Sequence, residues 1–301
     1  MRYVVTGAAG FIGSHLAEAL ADAGHDVAGV DCFTDYYDPA EKERNAQGID
    51  MRRVDLAEEP LDLEGVDGVF HLAGQPGVRS FGDVFPLYLR RNVLATQRVL
   101  EACTAAGTRL VLASSSSVYG EAEAYPTTED AMPRPISPYG ITKLACEQLV
   151  RAYGSDVVTL RYFTVYGPRQ RPDMAFRRVC EALLGVDTFE VYGDGLQSRS
   201  FTYVGDAVGA TISAMERASA GSLFNVGGGE EATMLDAIAL LEQASGRVLD
   251  VRHLDAARGD VSRTKADDSR IGAALGWSPT TPLADGLQAM WSWASARVAA
   301  A

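Results

Sequence analysis

The stretch that decides the fold is RYVVTGAAGFIGSHL, residues 2–16, which opens with an apolar run typical of a buried strand. A glycine turn follows, and apolar residues then recur at helical spacing over residues 11–23. Gly7, Gly10 and Gly13 place the pattern GxxGxxG between the strand and the helix. Glycines there allow close backbone approach, and the free N–H groups of the helix can bind a pyrophosphate. The opening therefore predicts a dinucleotide site, although such glycines also occur in turns without a ligand.

Apolar strand candidates and helix-like stretches alternate along the first half of the chain. The strand candidates are residues 2–6, 27–30, 49–54, 67–72, 109–113 and 157–162, and the helical stretches are 11–23, 85–106 and 138–153. This alternation implies right-handed βαβ crossovers and a parallel sheet.

The strict alternation fails from about Gly167, where Pro, Gly and Arg concentrate in GPRQRPD and YGDGLQSRS. A strand-helix-strand pattern resumes over residues 201–226. We therefore predict an α/β fold, with a Rossmann-type doubly wound parallel sheet and a smaller C-terminal α/β substrate lobe. The predicted domains are 1–166 plus about 200–228 for the dinucleotide, and 167–199 plus about 229–301 for the substrate.

The composition of the chain argues against some classes of binding partner. The 301 residues include 40 acidic and 27 basic ones, and the net charge of −13 repels phosphate backbones and anionic membranes. We expect neither nucleic acid nor membrane as a partner. The chain begins without a charged leader and has no apolar run near the roughly 18 residues of a membrane helix, so we expect a cytoplasmic protein. The four cysteines and four histidines show no metal-ligand spacing, and no metal is expected.

A carboxylate follows the second strand at the place where it would select the dinucleotide. Asp31 ends VAGVD, 18 residues after Gly13, where it would accept hydrogen bonds from the ribose hydroxyls and repel a 2′-phosphate. This favours NAD over NADP, although an aspartate in an ordinary strand-end turn is common. The predicted cofactor-binding residues are Gly7, Gly10, Phe11, Ile12, Gly13, Asp31, Asp55, Leu56, Leu72, Ala73, Tyr139 and Lys143.

Tyr139 and Lys143 form a YxxxK pair, one turn apart on the predicted helix 138–153. The pair lies 22 residues after a serine run, 114–117, which closes a buried strand at the carboxyl edge of the sheet, where ligands bind. A phenolate beside an ammonium can act as a base, and a serine hydroxyl can hold the reacting oxygen. These residue types suit alcohol oxidation by NAD.

Together the motifs resemble the extended short-chain dehydrogenases/reductases, in the branch of nucleotide-sugar epimerases and dehydratases. The resemblance covers nearly the whole chain, through TGAAGFIGSHL, SSSSVYG, SPYGITKLACEQL, LRYFTVYGPRQRPDMAF, VYGDGLQSRSFTYVGD and FNVGGG. It implies Tyr139 as the catalytic base, Lys143 as the group that orients the nicotinamide ribose and tunes Tyr139, and Ser115 as the hydroxyl partner. Asn92 matches a structural asparagine of the family.

The serine run distinguishes among the reactions of this branch. A 4-keto sugar can be reduced again on its other face, lose water or lose a carboxylate. Dehydratases resemble S-T-D-E-V-Y-G here and uronate decarboxylases resemble T-S-E-V-Y-G, whereas residues 115–120 read SSSVYG and contain no carboxylate. Because hydroxyls cannot readily do the acid/base work of a glutamate, the run favours 4-epimerisation.

Three segments are similar to those of UDP-glucuronate 4-epimerases: RYFTVYGPRQRPDMAF at 161–176, FTDYYDPAEK at 33–42 and AGQPGVR at 73–79. UDP-glucose 4-epimerases usually resemble R-Y-F-N-x-x-G in the first of them. Ser116, Ser117 and Thr164 are compact donors for a carboxylate, and hydrogen bonds to a charged acceptor are the stronger kind. The same hydroxyls can also simply cap strand ends. Since a 4-keto uronate is a β-keto acid, fixing its carboxylate would suppress the loss of carbon dioxide.

The nucleotide end of the substrate has its own predicted contacts. We predict Arg199 and Arg171 at the diphosphate, Tyr192 stacked on uracil and Asp260 near the uridine ribose. Arg171 serves the uronate end in an alternative interpretation.

The sequence thus predicts an isomerase, a UDP-sugar 4-epimerase with retained NAD that converts UDP-glucuronate into UDP-galacturonate. The alternatives are a UDP-glucose 4-epimerase, a uronate decarboxylase, a 4-ketoreductase and a non-catalytic NAD-binding scaffold. The helices near 85–106 and 138–153 resemble the dimer-forming pair of the family, so we expect a homodimer.

Overall fold

A seven-stranded parallel sheet is the main element of the computed structural model, which describes residues 1–78, 81–255 and 261–299. The strands of the protein in chain order are β1 (Arg2–Thr6), β2 (Asp26–Asp31), β3 (Asp50–Arg53), β4 (Gly68–His71), β5 (Arg109–Ser115), β6 (Val157–Tyr162), β7 (Thr164–Tyr166), β8 (Glu190–Tyr192), β9 (Ser198–Tyr203), β10 (Leu223–Val226), β11 (Glu231–Thr233), β12 (Arg252–Leu254) and β13 (Arg263–Thr264). The large sheet has the order β3-β2-β1-β4-β5-β6-β10, which confirms the predicted doubly wound α/β fold.

Helices cover both faces of this sheet and build most of the remainder. They are α1 (Phe11–Asp22), α2 (Pro39–Asn45), α3 (Phe85–Tyr88), α4 (Ala95–Ala106), α5 (Pro138–Tyr153), α6 (Ala175–Leu183), α7 (Val204–Arg217), α8 (Met234–Ser245), α9 (Ser269–Leu275) and α10 (Leu283–Ala299). The π-helical segment Leu89–Leu94 joins α3 to α4, so the helical stretch predicted at 85–106 is present with a local change of winding. In the described ranges no helix is both long and apolar enough to cross a bilayer.

Alternate residues of the central strands enter two different cores. In β1, Tyr3 and Val5 pack with α1 and α7, whereas Val4 packs with α4 on the opposite face. Burial on both faces explains why the strands read as continuous apolar runs in the sequence.

The later part of the chain forms smaller sheets around a third core. Strand β9 pairs in parallel with β7 and β13 and antiparallel with β11, and β12 pairs with β8. The pattern predicted over residues 201–226 is present as β9, α7 and β10, but only β10 joins the large sheet. Helices α6, α8 and α10 pack their apolar faces on β8 and β9.

A buried cluster of ion pairs connects the two parts of the molecule. Glu41 on α2 accepts from both terminal nitrogens of Arg177 on α6, each at 2.6 Å, and from Arg297 on α10 at 3.0 Å. The Arg177 side chain is 3% exposed. This cluster anchors the segment after β2 against the later helices, and the segment thereby forms one wall of the cleft described next.

Candidate active site

The glycine turn after β1 is shaped by backbone contacts that leave no room for side chains. Gly7 has φ +72°, and a Cβ there would lie 2.7 Å from the Ala73 nitrogen. A Cβ on Gly13 would lie 2.1 Å from the Gly7 oxygen. No side chain caps the N-terminus of α1 after Gly10. The turn therefore fits a pyrophosphate, which would meet main-chain N–H groups and the positive end of a helix dipole.

Asp31 stands at the end of β2 with its carboxylate accepting from the Phe33 N–H at 2.8 Å. Burial raises the pKa of Asp31, while the Phe33 hydrogen bond and the Lys42 charge oppose that shift. Lys42 is itself buried, and its ammonium donates to the Thr34 carbonyl at 2.7 Å. Lys42 was not among the site residues predicted from the sequence. It is one of only three lysines in the chain and lies within FTDYYDPAEK, which was a usable signal.

The ends of β3 and β4 bring the other predicted cofactor residues to the same edge. Asp55 accepts from the Ala57 N–H at 3.0 Å and from Arg90 at 2.8 Å, and Leu56 beside it is buried. The Ala73 N–H donates to the Thr6 hydroxyl at 3.2 Å. Leu72 and Ala73 thus lie directly against the glycine turn.

Asn92 lies in the π-helical segment and is buried between the β4 loop and α5. Its amide oxygen accepts from the Gln75 N–H at 2.7 Å, and its amide nitrogen donates to the Thr142 hydroxyl at 3.1 Å. A Cβ on Gly74 would come within 2.9 Å of the Asn92 oxygen, which gives a physical reason for glycine in the HLAG sequence.

Ser115, Tyr139 and Lys143 meet at the carboxyl edge of the sheet. Ser115 is the last residue of β5, and its hydroxyl accepts from the Ser117 N–H at 3.1 Å. Tyr139 and Lys143 project from the first turns of α5, whose N-terminus is capped by Ser137. The buried Lys143 ammonium donates to the Ala113 carbonyl at 2.9 Å and lies 5.9 Å from the Tyr139 ring centroid. A phenol, an ammonium and a serine hydroxyl are therefore held at one place.

Hydroxyl groups and an arginine also line the cleft that contains the glycine turn. Ser116 and Ser117 begin a short turn after β5, and Thr164 begins β7. Arg171 forms two hydrogen bonds with the Asp173 carboxylate, at 3.0 and 3.1 Å. Asp173 also accepts from the Tyr36 hydroxyl at 3.3 Å. Tyr36 and Asp173 were not predicted from the sequence, since partners so far apart in the chain leave no local pattern.

Arg199 on β9 and Tyr192 on β8 line the same cleft. The Arg199 guanidinium donates to the carbonyls of Ser198 at 2.8 Å and Val261 at 2.6 Å, which joins β9 to the segment before β13. Asp260, the residue predicted near the uridine ribose, lies outside the described residues. Arg178 was not predicted either. It lines the cleft and lies over Phe189, with 5.5 Å from its guanidinium carbon to the ring centroid.

One cleft of about 740 Å³ contains all the described residues of the predicted site. Among the described residues its cationic lining consists of Lys42, Arg91, Lys143, Arg171, Arg178 and Arg199, and its acidic lining consists of Asp31, Asp55, Asp173 and Glu190. The cleft thus has a surplus of positive groups inside a protein of net charge −13. Local geometry of this kind suits a ligand with phosphate or carboxylate groups. Within the described ranges no group of histidine, cysteine and acidic residues could hold a metal ion.

The sequence of the chain is similar to those of known proteins. Residues 3–227 match the family described as NAD dependent epimerase/dehydratase. The chain is 43% identical over 303 residues to the protein named "Uncharacterized UDP-glucose epimerase YtcB" of Bacillus subtilis (strain 168), covering 95% of this chain and 96% of that protein. It is 33% identical over 314 residues to the UDP-glucuronate 4-epimerase of Thermodesulfobacterium geofontis (strain OPF15), covering 98% and 97%.

A solved structure shares the fold over its full length. The UDP-glucuronic acid 4-epimerase of Bacillus cereus, in complex with UDP-glucuronic acid and NAD, superposes with a TM-score of 0.94 at 40% identity. The match covers 99% of this chain and 100% of that one.

Proposed function

The chain belongs to the NAD-dependent epimerase/dehydratase family, and we propose that it interconverts UDP-glucuronate and UDP-galacturonate with tightly held NAD. One observation carries the proposal: Ser115, Tyr139 and Lys143 share a cleft with the glycine turn, and the residues after Ser115 are hydroxyls rather than acids. The relatives named UDP-glucuronate 4-epimerase support the choice of sugar.

The residues of the cleft divide the work of the reaction. Gly7, Gly10 and Gly13 bind the pyrophosphate of NAD through main-chain N–H groups, with Phe11 and Ile12 at the helix start, and Asp31 binds the adenosine ribose. When bound, NAD accepts the hydride from carbon 4 of the sugar and returns it to the opposite face.

Tyr139 moves the proton that accompanies this hydride. As the phenolate it takes the proton from the 4-hydroxyl group, and it returns that proton to the 4-oxygen when the hydride comes back. Ser115 holds the same oxygen by a hydrogen bond. Lys143 holds the nicotinamide ribose and keeps a positive charge beside Tyr139. Between the two transfers the 4-keto sugar turns about its bond to the diphosphate.

Hydroxyl donors hold the carboxylate of the sugar while the 4-keto sugar is seated for either hydride transfer. Ser116, Ser117 and Thr164 offer three compact donors to a carboxylate, and such charge-assisted bonds are strong. A 4-keto uronate loses carbon dioxide when its carboxylate stands perpendicular to the ketone plane. The donors keep the carboxylate out of that orientation, so the carboxylate survives until the ketone is reduced again.

The nucleotide part of the substrate lies toward the far end of the cleft in this proposal. Arg199 binds the diphosphate and Tyr192 stacks on uracil. Arg171 has two possible partners, the diphosphate and the uronate, and either one competes with Asp173 for its guanidinium. Asp260 remains the predicted contact of the uridine ribose.

A second candidate substrate is UDP-glucose, which the same machinery can epimerise at carbon 4. The name of the Bacillus subtilis relative at 43% identity favours it. UDP-glucose lacks the carboxylate, so it gives Ser116, Ser117 and Thr164 no charged acceptor.

The assembly and location of the protein form part of the proposal. Exposed apolar side chains on the helices that resemble the family's dimer-forming pair, Leu89, Leu94 and Ile141, suit a homodimer. We place the protein in the cytoplasm, where nucleotide sugars and NAD are available. In this proposal the NAD-binding domain is 1–166 plus about 200–228 and contains the large sheet, and the sugar-binding lobe is 167–199 plus about 229–301. Strands β7 and β9 depart from this division, because they pair with each other in a smaller sheet although most of their residues fall in the first set of ranges.

The test is an incubation of the purified protein with UDP-glucuronate, without added NAD, followed by chromatography of the products. UDP-galacturonate without UDP-xylose supports the proposal, including retention of the cofactor. UDP-xylose or a 4-keto pentose instead indicates a decarboxylase. Turnover of UDP-glucose alone establishes the second candidate, and no turnover of either sugar leaves the non-catalytic scaffold.

A further inference from the structure

A buried ion pair lies directly behind the proposed catalytic residues. Arg161 on β6 is 1% exposed and Glu147 on α5 is 4% exposed. The guanidinium donates two parallel hydrogen bonds to the carboxylate, from Nε to Oε1 at 2.9 Å and from Nη2 to Oε2 at 2.7 Å. Neither residue lines the cleft, so the pair does not meet the substrate.

The pair joins the two elements that carry the catalytic groups. The Ser114 hydroxyl on β5 donates to Glu147 Oε1 at 2.5 Å, and Ser114 is followed immediately by Ser115. Glu147 lies one helical turn after Lys143 on α5. Lys143 makes a second link by its bond to the Ala113 carbonyl. Helix α5 is therefore tied to the end of β5 at two successive turns.

The same pair also holds the other end of the serine run. Arg161 Nη1 donates to the Tyr119 hydroxyl at 2.8 Å, and the Tyr119 hydroxyl donates to Asn225 on β10 at 2.7 Å. Ser114 and Tyr119 bracket residues 115–117, and both are bonded to the pair. Residues 115–117, whose hydroxyls are proposed to hold the reacting oxygen and the carboxylate, are thus flanked by two residues that are hydrogen-bonded to the ion pair.

We propose that Glu147 and Arg161 are positioning residues that set the distance between Ser115 and the Tyr139 hydroxyl. This inference rests on the proposed function. A buried ion pair adds little net stability compared with apolar residues of the same volume. Its place between β5, β6 and α5 gives it a geometric role instead, and misplacing reacting groups by about 1 Å can slow a reaction about 100-fold.

The test compares two changes in this network with two matched changes elsewhere. Glu147→Asp keeps the charge and shortens the reach by one methylene. Ser114→Ala removes the tie to β5, at a buried residue that also lines the cleft. Glu242→Asp is the control for the first, since the Glu242 carboxylate also ties a helix to another segment, by accepting from the Leu249 N–H at 2.8 Å, and Glu242 does not line the cleft. Ser200→Ala is the control for the second, because Ser200 is buried with one bond, to the Gly229 carbonyl, and points away from Arg199 along β9.

We expect kcat for UDP-glucuronate to fall about 10- to 100-fold in Glu147→Asp and in Ser114→Ala, with KM and bound NAD within about two-fold of wild type. The two controls keep kcat within about two-fold, whatever they do to the melting temperature. A kcat near the wild-type value in both network variants overturns the inference, and so does an equal fall in the controls. If Glu147→Asp does not fold, Ser114→Ala decides alone.

Crystal structures of the NAD-loaded variants separate this inference from the proposed function. If the wild type does not turn over UDP-glucuronate, the proposed function fails, but the distance from Ser115 Oγ to the Tyr139 hydroxyl can still be compared between wild type and variants. A changed distance supports the positioning role. An unchanged distance contradicts it.

Discussion

The two sides of the cleft are built in different ways. On the proposed cofactor side the main chain forms the surface at the pyrophosphate turn, because the turn at Gly7 and Gly13 excludes even a methyl group. On the proposed sugar side the surface consists of side chains from separate segments, including Ser117, Thr164 and Arg171. A site made of backbone depends on shape and tolerates few substitutions. A site made of side chains can change its preference while the fold stays intact.

The largest effect should come from adding one carbon to the cofactor turn. In Gly13→Ala the new Cβ lies 2.1 Å from the Gly7 oxygen, so the turn must shift. We expect loss of bound NAD, loss of turnover on every sugar, and a decrease of about 1–3 kcal/mol in the free energy of unfolding. Cofactor released on denaturation and urea unfolding measure these effects.

Gly209→Ala is the control, since Gly209 is also helical and a Cβ there meets nothing closer than 3.9 Å. It should keep its NAD and gain about 0.5–1 kcal/mol of stability. Retention of NAD by Gly13→Ala would show that the backbone does not define the cofactor side.

Removing the hydroxyl of Tyr139 should greatly lower kcat and leave the cofactor bound. General acid–base groups contribute about 10²- to 10⁴-fold, so Tyr139→Phe should lower kcat by that factor on both UDP-glucuronate and UDP-glucose. Tyr153→Phe, at the other end of α5, serves as the control, because its hydroxyl bonds to Gln97 and Glu101 outside the cleft. Less than a ten-fold loss in Tyr139→Phe would exclude it as the base.

A change on the sugar side should alter the product instead. Thr164→Ala removes one donor to the uronate, and a hydrogen bond to a charged group contributes about 1.5–3 kcal/mol. We expect the ratio of decarboxylated to epimerised product to rise about ten-fold, and Ser117→Ala to act in the same direction. Turnover of UDP-glucose, which has no carboxylate, is the internal control. An equal loss of turnover on both sugars would mean that these hydroxyls do not bind the carboxylate.

The last prediction concerns acid stability rather than turnover. His71 is buried, with its ring nitrogens bonded to the hydroxyls of Thr6 and Thr96 at 2.7 and 3.1 Å. Burial, with a smaller contribution from Lys143, lowers the pKa of His71 from 6.5 to about 3. The unfolded chain therefore binds a proton that the folded chain does not, and stability falls as the pH drops from 6.5 toward 3.

Between pH 7 and pH 5 this histidine should lower the free energy of unfolding by about 2 kcal/mol, since each pH unit below 6.5 lowers it by about 1.4 kcal/mol. His71→Asn removes the titration, so the variant should lose less stability than the wild type over that interval. Urea unfolding at the two pH values provides the measurement. Equal losses in both proteins would contradict the assigned origin of the acid sensitivity.

The contrast between the two sides also explains which features of the fold and the site could be predicted from the sequence. The strand, glycine turn and helix of residues 2–22 are local, and so is the one-turn spacing of Tyr139 and Lys143, so periodicity and spacing were enough to predict them. Strand β9 was harder to place, because its partners β7, β11 and β13 come from three distant segments. The link from Tyr36 to Asp173 spans 137 residues and is set by tertiary packing alone.

The central claim is that carbon 4 of the sugar gives a hydride to the cofactor side of the cleft and receives the same hydride back. The most direct measurement uses UDP-glucuronate with deuterium at carbon 4, incubated with the purified protein in ordinary water without added NAD. We predict that UDP-galacturonate forms with the deuterium still at carbon 4. Loss of the label to solvent, or a product formed by proton exchange at carbon 5, would contradict the account.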